Sequence, residues 1–496
     1  MQEEPERERA PGTNEPEAAE EAGWRRLSPR MLLVHPVQEL VRALPALLAA
    51  LVAGVHTGHG DVFSYGVSAV VILLGPLRWL TTSYRLTAAR VELRKGIVLR
   101  QRTSVPLDRV RTADSSAHAL HRALGLARLT IGTGQSERGR GGMLTLDGLD
   151  AGEAARLHID LFPGATGAAE TELVRSRPAW LRFAPFNLAG IVVFGMVVLF
   201  LPEVDIDPMS SGPVPSVLAR LRGPHPWTGV AEAVAGLAAG CLLAGFAVSL
   251  FMFTNFRLAR TPGNTLRVTY GLVTTRTTTI EERRVSGVKL SEHLVIRLLG
   301  GARAAVIATG LHTGGSTSLI VPAAPARDVG GVVARVLRDP APATAALAGH
   351  GRRALFRRIT RVVGPWLLVA VAFAVLVGAE VVPLWTWPLP AAALPLCLLL
   401  ALDRYRGLGH ALVDGHLVGR SGSLTRERWM LSGKAVIGFS MRRSFFQRRA
   451  GLATLVVSTP AGKRRYEIVD IAPDDAVRLA GRTVPGLLDP YLIQAD

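Results

Sequence analysis

Six long apolar segments interrupt an otherwise polar chain, and they occur in three pairs. Each segment is close to the roughly 20 residues that a helix needs to cross a bilayer, so the pattern predicts three transmembrane hairpins, or six membrane helices. The first segment is the weakest, because Arg42 and Pro45 lie near its start, and an interfacial helix is the alternative there. The six predicted segments are Val37–Thr57, Val62–Leu80, Pro185–Pro202, Val230–Phe253, Val362–Val382 and Leu384–Leu402.

A long polar stretch follows each hairpin, and the three stretches repeat one pattern. Each opens with an alternating run that we expect to form one strand, reaches a glycine, and continues as a second alternating run. A glycine between two β-rich runs predicts a hairpin. This glycine is Gly96, Gly271 or Gly422 in the three copies. Later, Gly125, Gly300 and Gly451 introduce "GLARLTI", "GGARAAVI" and "GLATLVV", which we expect to be a turn and a core strand rather than an active site.

Each copy ends in one more short strand and a helix-like stretch. A repeat of about 80 residues with several short strands and one closing helix predicts a compact α+β module. The expected organisation is an acidic, disordered tail (1–30), a first hairpin (31–80) and module (81–163), a linker (164–184), a second hairpin (185–254) and module (255–340), a basic linker (341–361), and a third hairpin (362–402) and module (403–496).

The chain carries a formal charge of +18, and its basic residues concentrate in the three polar stretches. The turns inside the hairpins carry few basic residues, so the positive-inside rule predicts that both termini and all three modules are cytoplasmic. The acidic tail lacks the basic start and apolar core of a signal peptide. Together these patterns predict a multi-pass protein of the plasma membrane.

The third copy, "IGFSMRRSFFQRRAGLATLVVSTPAG" from Ile437 to Gly462, resembles the bacterial PH-like membrane-flanked domain proteins, in which pleckstrin-homology-like modules alternate with membrane hairpins. The second copy departs at Gly301, where leucine is expected, and the first copy lacks the phenylalanine and glutamine. The resemblance implies an α+β fold of three PH-like β-barrel or sandwich modules, each closed by a C-terminal helix. It also implies a core position for at least one phenylalanine of the third copy, but little about function.

No pattern for catalysis, a cofactor or a metal is found in the sequence. The phosphate-binding G-x-x-x-x-G-K motif and the G-x-S-x-G elbow are absent, and the glycine-rich run Gly132–Gly142 is interpreted as a hairpin loop. His118 and His121 could share a helical face, but a third metal ligand is missing. Cys241 and Cys397 lie in apolar runs, as packing residues do. We therefore expect a non-enzymatic protein without a cofactor or metal.

Clusters of basic residues remain as candidate binding surfaces in all three copies. Basic and aromatic residues next to a membrane suit an anionic lipid surface or a protein partner, although a solvated cytoplasmic face is the alternative. Nucleic acid is an unsuitable partner, because the charge is divided among tethered segments without a recognised motif. The candidates are Arg94, Lys95, Arg100 and Arg102 in the first copy, Arg276, Arg283 and Arg284 in the second, and Arg442, Arg443, Phe445, Phe446, Arg448 and Arg449 in the third.

The function predicted from these patterns is that of a membrane-surface scaffold. Three cytoplasmic modules would bind a membrane or cytoplasmic protein partner, anionic phospholipid headgroups, or both. The alternative is a transport or lipid-movement protein, in which the six helices form a pathway and the modules act as gates. The identity of the ligand and the oligomeric state stay open.

Overall fold

The computed structural model describes residues 23–34, 80–87, 89–96, 101–107, 110, 112–132, 143–161, 170–201, 213–221, 223, 226–309, 319–382 and 388–487. The chain divides into two compact units, one up to Pro163 and one from Gly164 onwards. Residues 1–22 of the predicted tail, residues 35–79 of the predicted first hairpin, residues 133–142 of the predicted glycine-rich loop, and Arg100 lie outside the described residues.

The first unit contains two groups of antiparallel strands. One sheet has the order β1-β2-β3-β4, and β5, β6 and β7 pair in sequence. A five-residue helix, α1, separates β5 from β6, and a longer helix, α2, follows β7. The elements are β1 (Arg25–Arg26), β2 (Ser83–Leu86), β3 (Arg90–Lys95), β4 (Gln101–Pro106), β5 (Thr112–Ala117), α1 (Ala119–Ala123), β6 (Leu126–Gly132), β7 (Met143–Asp150) and α2 (Ala151–Leu161).

The second unit contains the same succession of elements twice. Strand β8 (Thr171–Arg175) precedes the apolar helices and pairs with the first strand of the first of these copies. That copy comprises β9 (Arg257–Thr261), β10 (Thr265–Tyr270), β11 (Thr275–Glu281), β12 (Val285–His293), β13 (Gly301–Ala308) and β14 (Leu319–Pro325). The next comprises β15 (Gly409–Val413), β16 (His416–Gly422), β17 (Thr425–Ser432), β18 (Gly438–Arg442), β19 (Ala453–Ser458) and β20 (Arg465–Ile471).

The helices of the second unit connect, separate or close these strands. They are α3 (Leu188–Phe200), α4 (Pro213–Leu221), α5 (Pro226–Phe253), α6 (Leu294–Leu298), α7 (Ala326–Leu337), α8 (Ala341–Thr344), α9 (Gly351–Gly378), α10 (Pro388–Arg406), α11 (Phe445–Arg449) and α12 (Pro473–Thr483). Short 3-10 helices occupy Pro178–Phe186, Glu282–Arg284 and Gly433–Ala435. The closing helices α7 and α12 each turn one apolar face inward, as Val332 and Leu479 illustrate.

The opening run of each copy forms two strands, so the expectation of one strand was wrong. In the third copy, Asp414 and Gly415 both have positive φ between β15 and β16, as a two-residue Asp-Gly hairpin turn requires. In the second copy, Asn264 has positive φ between β9 and β10. The predicted glycine turns Gly271 and Gly422 follow these hairpins with φ of 109° and 107°.

The second and third copies share one six-stranded antiparallel sheet, in the order β14-β13-β12-β17-β16-β15. Strands β12 and β17 join the copies, from the pair Gly287 and Leu431 to the pair His293 and Thr425. The pairing gives the edge of each three-strand group a partner. The α+β class is therefore confirmed, whereas the described strands form open and shared sheets and no closed barrel.

Two described helices are long and apolar enough to cross a membrane, namely Trp227–Phe253 of α5 and Gly351–Gly378, with mean hydropathies of 2.2 and 2.1. A third span results if the 3-10 helix Pro178–Phe186 and α3 count as one element bent by 58°. Almost nothing in the protein covers these surfaces, with 6% and 0% of the two apolar windows buried. The described helices thus indicate membrane association, and six spans stay a prediction.

Candidate functional site

A five-residue helix occurs at the same place in each copy, between the first and second strands of the later group. The glycine that follows it has φ of 67° at Gly125, 71° at Gly300 and 65° at Gly451. This left-handed conformation ends a helix at little cost only when the residue is glycine. The recurring glycine therefore has a structural role, in agreement with the sequence-based expectation.

The third residue of each short helix points inward. It is His121, Ile296 or Gln447, and all three are buried. The residue before it is apolar and exposed in each copy, as Leu120 and Val295 show. Each of these five-residue helices thus has one inward position. Its geometry repeats in the three copies, whereas the residue type differs.

In α11, glutamine takes the inward position and both phenylalanines face outward. Phe445 and Phe446 are 58% and 72% exposed, so the expected core position for a phenylalanine was wrong. Ser444 and Gln447 form a capping box at the start of the helix. The Gln447 amide also donates to the Thr454 hydroxyl at 2.8 Å and to the Asp470 carboxylate at 3.0 Å. These bonds satisfy the buried amide of Gln447. A phenylalanine side chain in this position could form none of them.

Asp470 connects this buried amide to α9. It is fully buried, and it occupies a bulge between β19 and β20 with φ of 62°. Its carboxylate pairs with Arg357 and lies 2.7 Å from a guanidinium nitrogen of Arg358. A buried carboxylate is tolerable only with such partners. The ion pairs hold the basic beginning of α9 against the third copy.

A cleft of about 890 Å³ lies between α9 and the third copy. Arg442, Arg443 and Phe446 line one side, and α9 lines the other side with Arg361 and Leu368, among other residues. Sequence reasoning missed the contribution of α9, because its arginines are more than 80 positions away from α11 along the chain. Arg448 and Arg449 are exposed on α11 but do not line the cleft.

Two basic candidates of the first copy, Arg94 and Arg102, lie beside an indole ring. The guanidinium carbons of Arg94 and Arg102 lie 6.0 and 5.6 Å from the centre of the Trp24 ring, within range for cation–π attraction. Arg102 also donates to Glu92 at 2.9 Å. Burial would raise the pKa of Glu92, but its bonds to arginines outweigh burial and lower it. Lys95 is exposed.

The basic candidates of the second copy are partly neutralised within that copy. Arg283 and Arg284 both pair with Glu281, at 3.5 Å in the case of Arg283. Arg276 lies on β11 opposite Tyr270 and is half-buried. The copies therefore differ: Arg283 of the second copy lines a cleft of about 300 Å³ with Arg338, whereas Arg442 and Arg443 of the third line a larger cleft with α9.

The packing of Phe183 explains why the second copy has Gly301 where the other copies have leucine. Phe183 of the 3-10 helix is buried and packs directly on Gly301, where a Cβ atom would lie 2.7 Å from ring atom Cζ. The other copies carry Leu126 and Leu452 at this position, and both leucines are buried. The ring of Phe183 thus takes the space of the missing leucine side chain.

The fold defines a class of protein in which β-sheet repeats with a closing helix alternate with apolar helices. The chain belongs to the bacterial PH domain family, since that family's model matches residues 37–161, 196–339 and 355–484. The resemblance seen in the sequence is thereby confirmed, with three copies of the repeat. No curated protein and no solved structure matches the chain. In the part of the chain that the structure describes, no three His, Cys, Asp or Glu side chains form a metal-binding group.

Proposed function

We propose that this protein is a non-enzymatic, multi-pass scaffold of the bacterial plasma membrane, whose three cytoplasmic PH-like repeats bind the anionic surface of the bilayer. The observation that carries the proposal is the surface of α11. Its two phenylalanines and the four flanking arginines are exposed, beside the point where α9 changes from basic to apolar. Large exposed aromatic groups in a soluble region indicate an interaction surface.

The magnitudes favour a bilayer as the partner. Each basic residue near an anionic leaflet contributes about 1 kcal/mol, so the four arginines around α11 supply about 4 kcal/mol before screening by salt. Phenylalanine adds favourable transfer of apolar area out of water. A protein partner on the same surface is the competing outcome of the experiment below.

The alternative of a transport pathway gains no specific support. Charged groups inside a membrane helix mark such pathways when they lie deep in the span. Glu232 of α5 pairs with Arg220 of α4, near the beginning of α5. Glu380 lies two residues beyond the end of α9.

Full-length protein is the appropriate material for a test, because the third copy shares a sheet with the second. A spin label would be placed at Phe445→Cys after Cys241 and Cys397 are replaced by alanine. The matched control is Asp414→Cys, on an exposed hairpin turn. The protein would be reconstituted into vesicles of phosphatidylcholine with or without phosphatidylglycerol.

We expect oxygen to relax the label at 445 more than a water-soluble nickel complex does, and more strongly with phosphatidylglycerol and low salt. The label at 414 should favour the nickel complex in every condition. Equal aqueous exposure at both positions would refute the proposal, and protection at 445 that needs a cytoplasmic extract rather than anionic lipid would indicate a protein partner instead.

A further inference from the structure

The cleft beside α9 has more positive charge than its acidic neighbours offset. Arg357 is held by Asp470, and Arg442 lies 3.9 Å from Glu467. Among the residues that the structure describes, Arg361 and Arg443 line the cleft without an acidic partner. The cleft therefore suits an anion with several acceptor oxygens, which arginine binds with strong, directional hydrogen bonds.

Hydroxyl groups and size narrow the class of anion. Thr360 and Ser444 line the same cleft and are exposed. The Thr360 hydroxyl donates to the Arg357 carbonyl at 3.1 Å, whereas the Ser444 hydroxyl accepts from the Gln447 N–H and can donate its own proton to a phosphate ester. A volume of about 890 Å³ is near the upper end of sites for small molecules. Inorganic phosphate would leave most of it empty.

The polarity of the cleft changes along α9. Arg361 is seven residues before Leu368, a rise of about 10 Å along a helix. Leu368 is 73% exposed, lies within the apolar part of the helix, and lines the cleft together with Phe446. A ligand that fills the cleft and matches both ends would carry an anionic group at one end and hydrocarbon at the other.

We propose that this cleft binds one anionic phospholipid, with its phosphate at Arg361 and Arg443 and the upper part of its acyl chains against Leu368 and Phe446. The inference rests on the proposed membrane-surface function and makes it more specific. It assigns to the third copy a discrete lipid site in addition to any diffuse attraction of the other arginines to the leaflet.

Two matched double variants separate the cleft from general charge. Arg361→Gln with Arg443→Gln removes two charges that line the cleft. Arg478→Gln with Arg482→Gln removes two exposed charges from α12 of the same copy, outside the cleft and outside the α11 surface. Native mass spectrometry of the full-length, detergent-purified proteins would count bound dioleoyl-phosphatidylglycerol during a titration, with dioleoyl-phosphatidylcholine and inorganic phosphate as comparison ligands. Equal thermal unfolding midpoints would establish that both variants are folded.

We expect one tightly bound phosphatidylglycerol and at least about tenfold weaker binding in the cleft variant, as the loss of charged hydrogen bonds implies. The control variant should change the affinity less than about twofold, and Phe446→Ala should weaken binding of the lipid. Equal losses in both double variants would overturn the cleft proposal while leaving diffuse adhesion intact. Inorganic phosphate that displaces the lipid at similar concentration would overturn the lipid assignment. The spin-label experiment tests the broader function separately.

Discussion

Replacing Gly301 with leucine would restore the residue type that the other copies carry, yet we expect it to destabilise the protein. The site is already filled by Phe183, which is 1% exposed. A new Cβ would lie 2.7 Å from Cζ and 2.8 Å from Cδ1 of the ring, closer than real Cβ atoms approach. Either the ring leaves its pocket or β13 moves.

The expected loss of stability in the double variant follows from the costs of the two single changes. Overpacking a core typically costs about 1–3 kcal/mol. Removing the ring with Phe183→Ala leaves a cavity and costs about 3–5 kcal/mol. In the double variant the leucine would refill the space, so the two changes should be less harmful together than their sum, by about 2 kcal/mol or more.

Thermal unfolding of the full-length protein in one detergent measures this coupling. For a domain of about 150–250 residues, 1 kcal/mol shifts the midpoint by about 2–4 °C, and the shift is smaller for a larger unit such as Gly164–Asp496. Gly331→Ala is the control, since Gly331 lies in α7 and a Cβ there would meet no atom within 4 Å. That change should leave the midpoint unchanged or raise it. If the midpoint losses of Gly301→Leu and Phe183→Ala simply add in the double variant, the leucine does not fill the space of the Phe183 ring, and the reasoning is refuted.

Three further changes test the second unit. Asp470→Asn should cost about 3–5 kcal/mol, because two arginines of α9 would lose their buried partner, while asparagine tolerates the positive φ. Burial lowers the pKa of His350 to about 4, below the unfolded value of about 6.5, so the unfolded chain binds a proton first as the pH falls. Stability should therefore be complete above pH 6.5 and decrease by about 3 kcal/mol towards pH 4. Gly287→Val would place a Cβ 3.0 Å from the Leu431 Cα and should speed hydrogen exchange in β17.

Each of these changes has a control in the same unit. Asp474→Asn alters an exposed carboxylate and should change the free energy of unfolding by less than about 0.5 kcal/mol. His350→Gln should reduce the slope of midpoint against pH between pH 6.5 and 4, and an unchanged slope would contradict the assignment. Gly438→Ala adds a Cβ with no atom within 4 Å, so β17 should exchange as in the native chain. Equal exchange in Gly287→Val would argue against the pairing of β12 with β17.

The glycine turns could be predicted from sequence because their backbone requirement is local. A positive φ selects glycine at Gly96, Gly271 and Gly422 independently of what packs nearby. The Asp-Gly turn at 414 and 415 carried an equally local signal, and attention to it would have divided the opening run into two strands. Turns that depend on the backbone conformation of one residue can thus be predicted from the sequence.

The shared sheet and the cleft could not be predicted in this way. Strand β12 could have paired within its own copy or with a neighbour, and alternation along the strand is the same in both cases. The outward position of Phe445 was missed because a five-residue helix is too short for apolar periodicity to identify its inner face. The decisive partner of Gln447 is Asp470, whose backbone conformation reflects a bulge rather than a sequence motif.

The inward position of the short helix explains why the copies attach differently to their neighbouring helices. In the second copy it is Ile296, and the preceding 3-10 helix is held by the packing of Phe183 and by a Trp180 indole bond of 3.0 Å to Asp328. In the third copy, Gln447 extends a chain of polar contacts through Asp470 to the arginines of α9. The Phe183 packing and the Trp180 bond to Asp328 bring no positive charge to that attachment, whereas the arginines of α9 border directly on the proposed lipid cleft. A lipid bound there would therefore act on the third copy's contact with its membrane helix, and the second copy has no corresponding polar connection through Ile296.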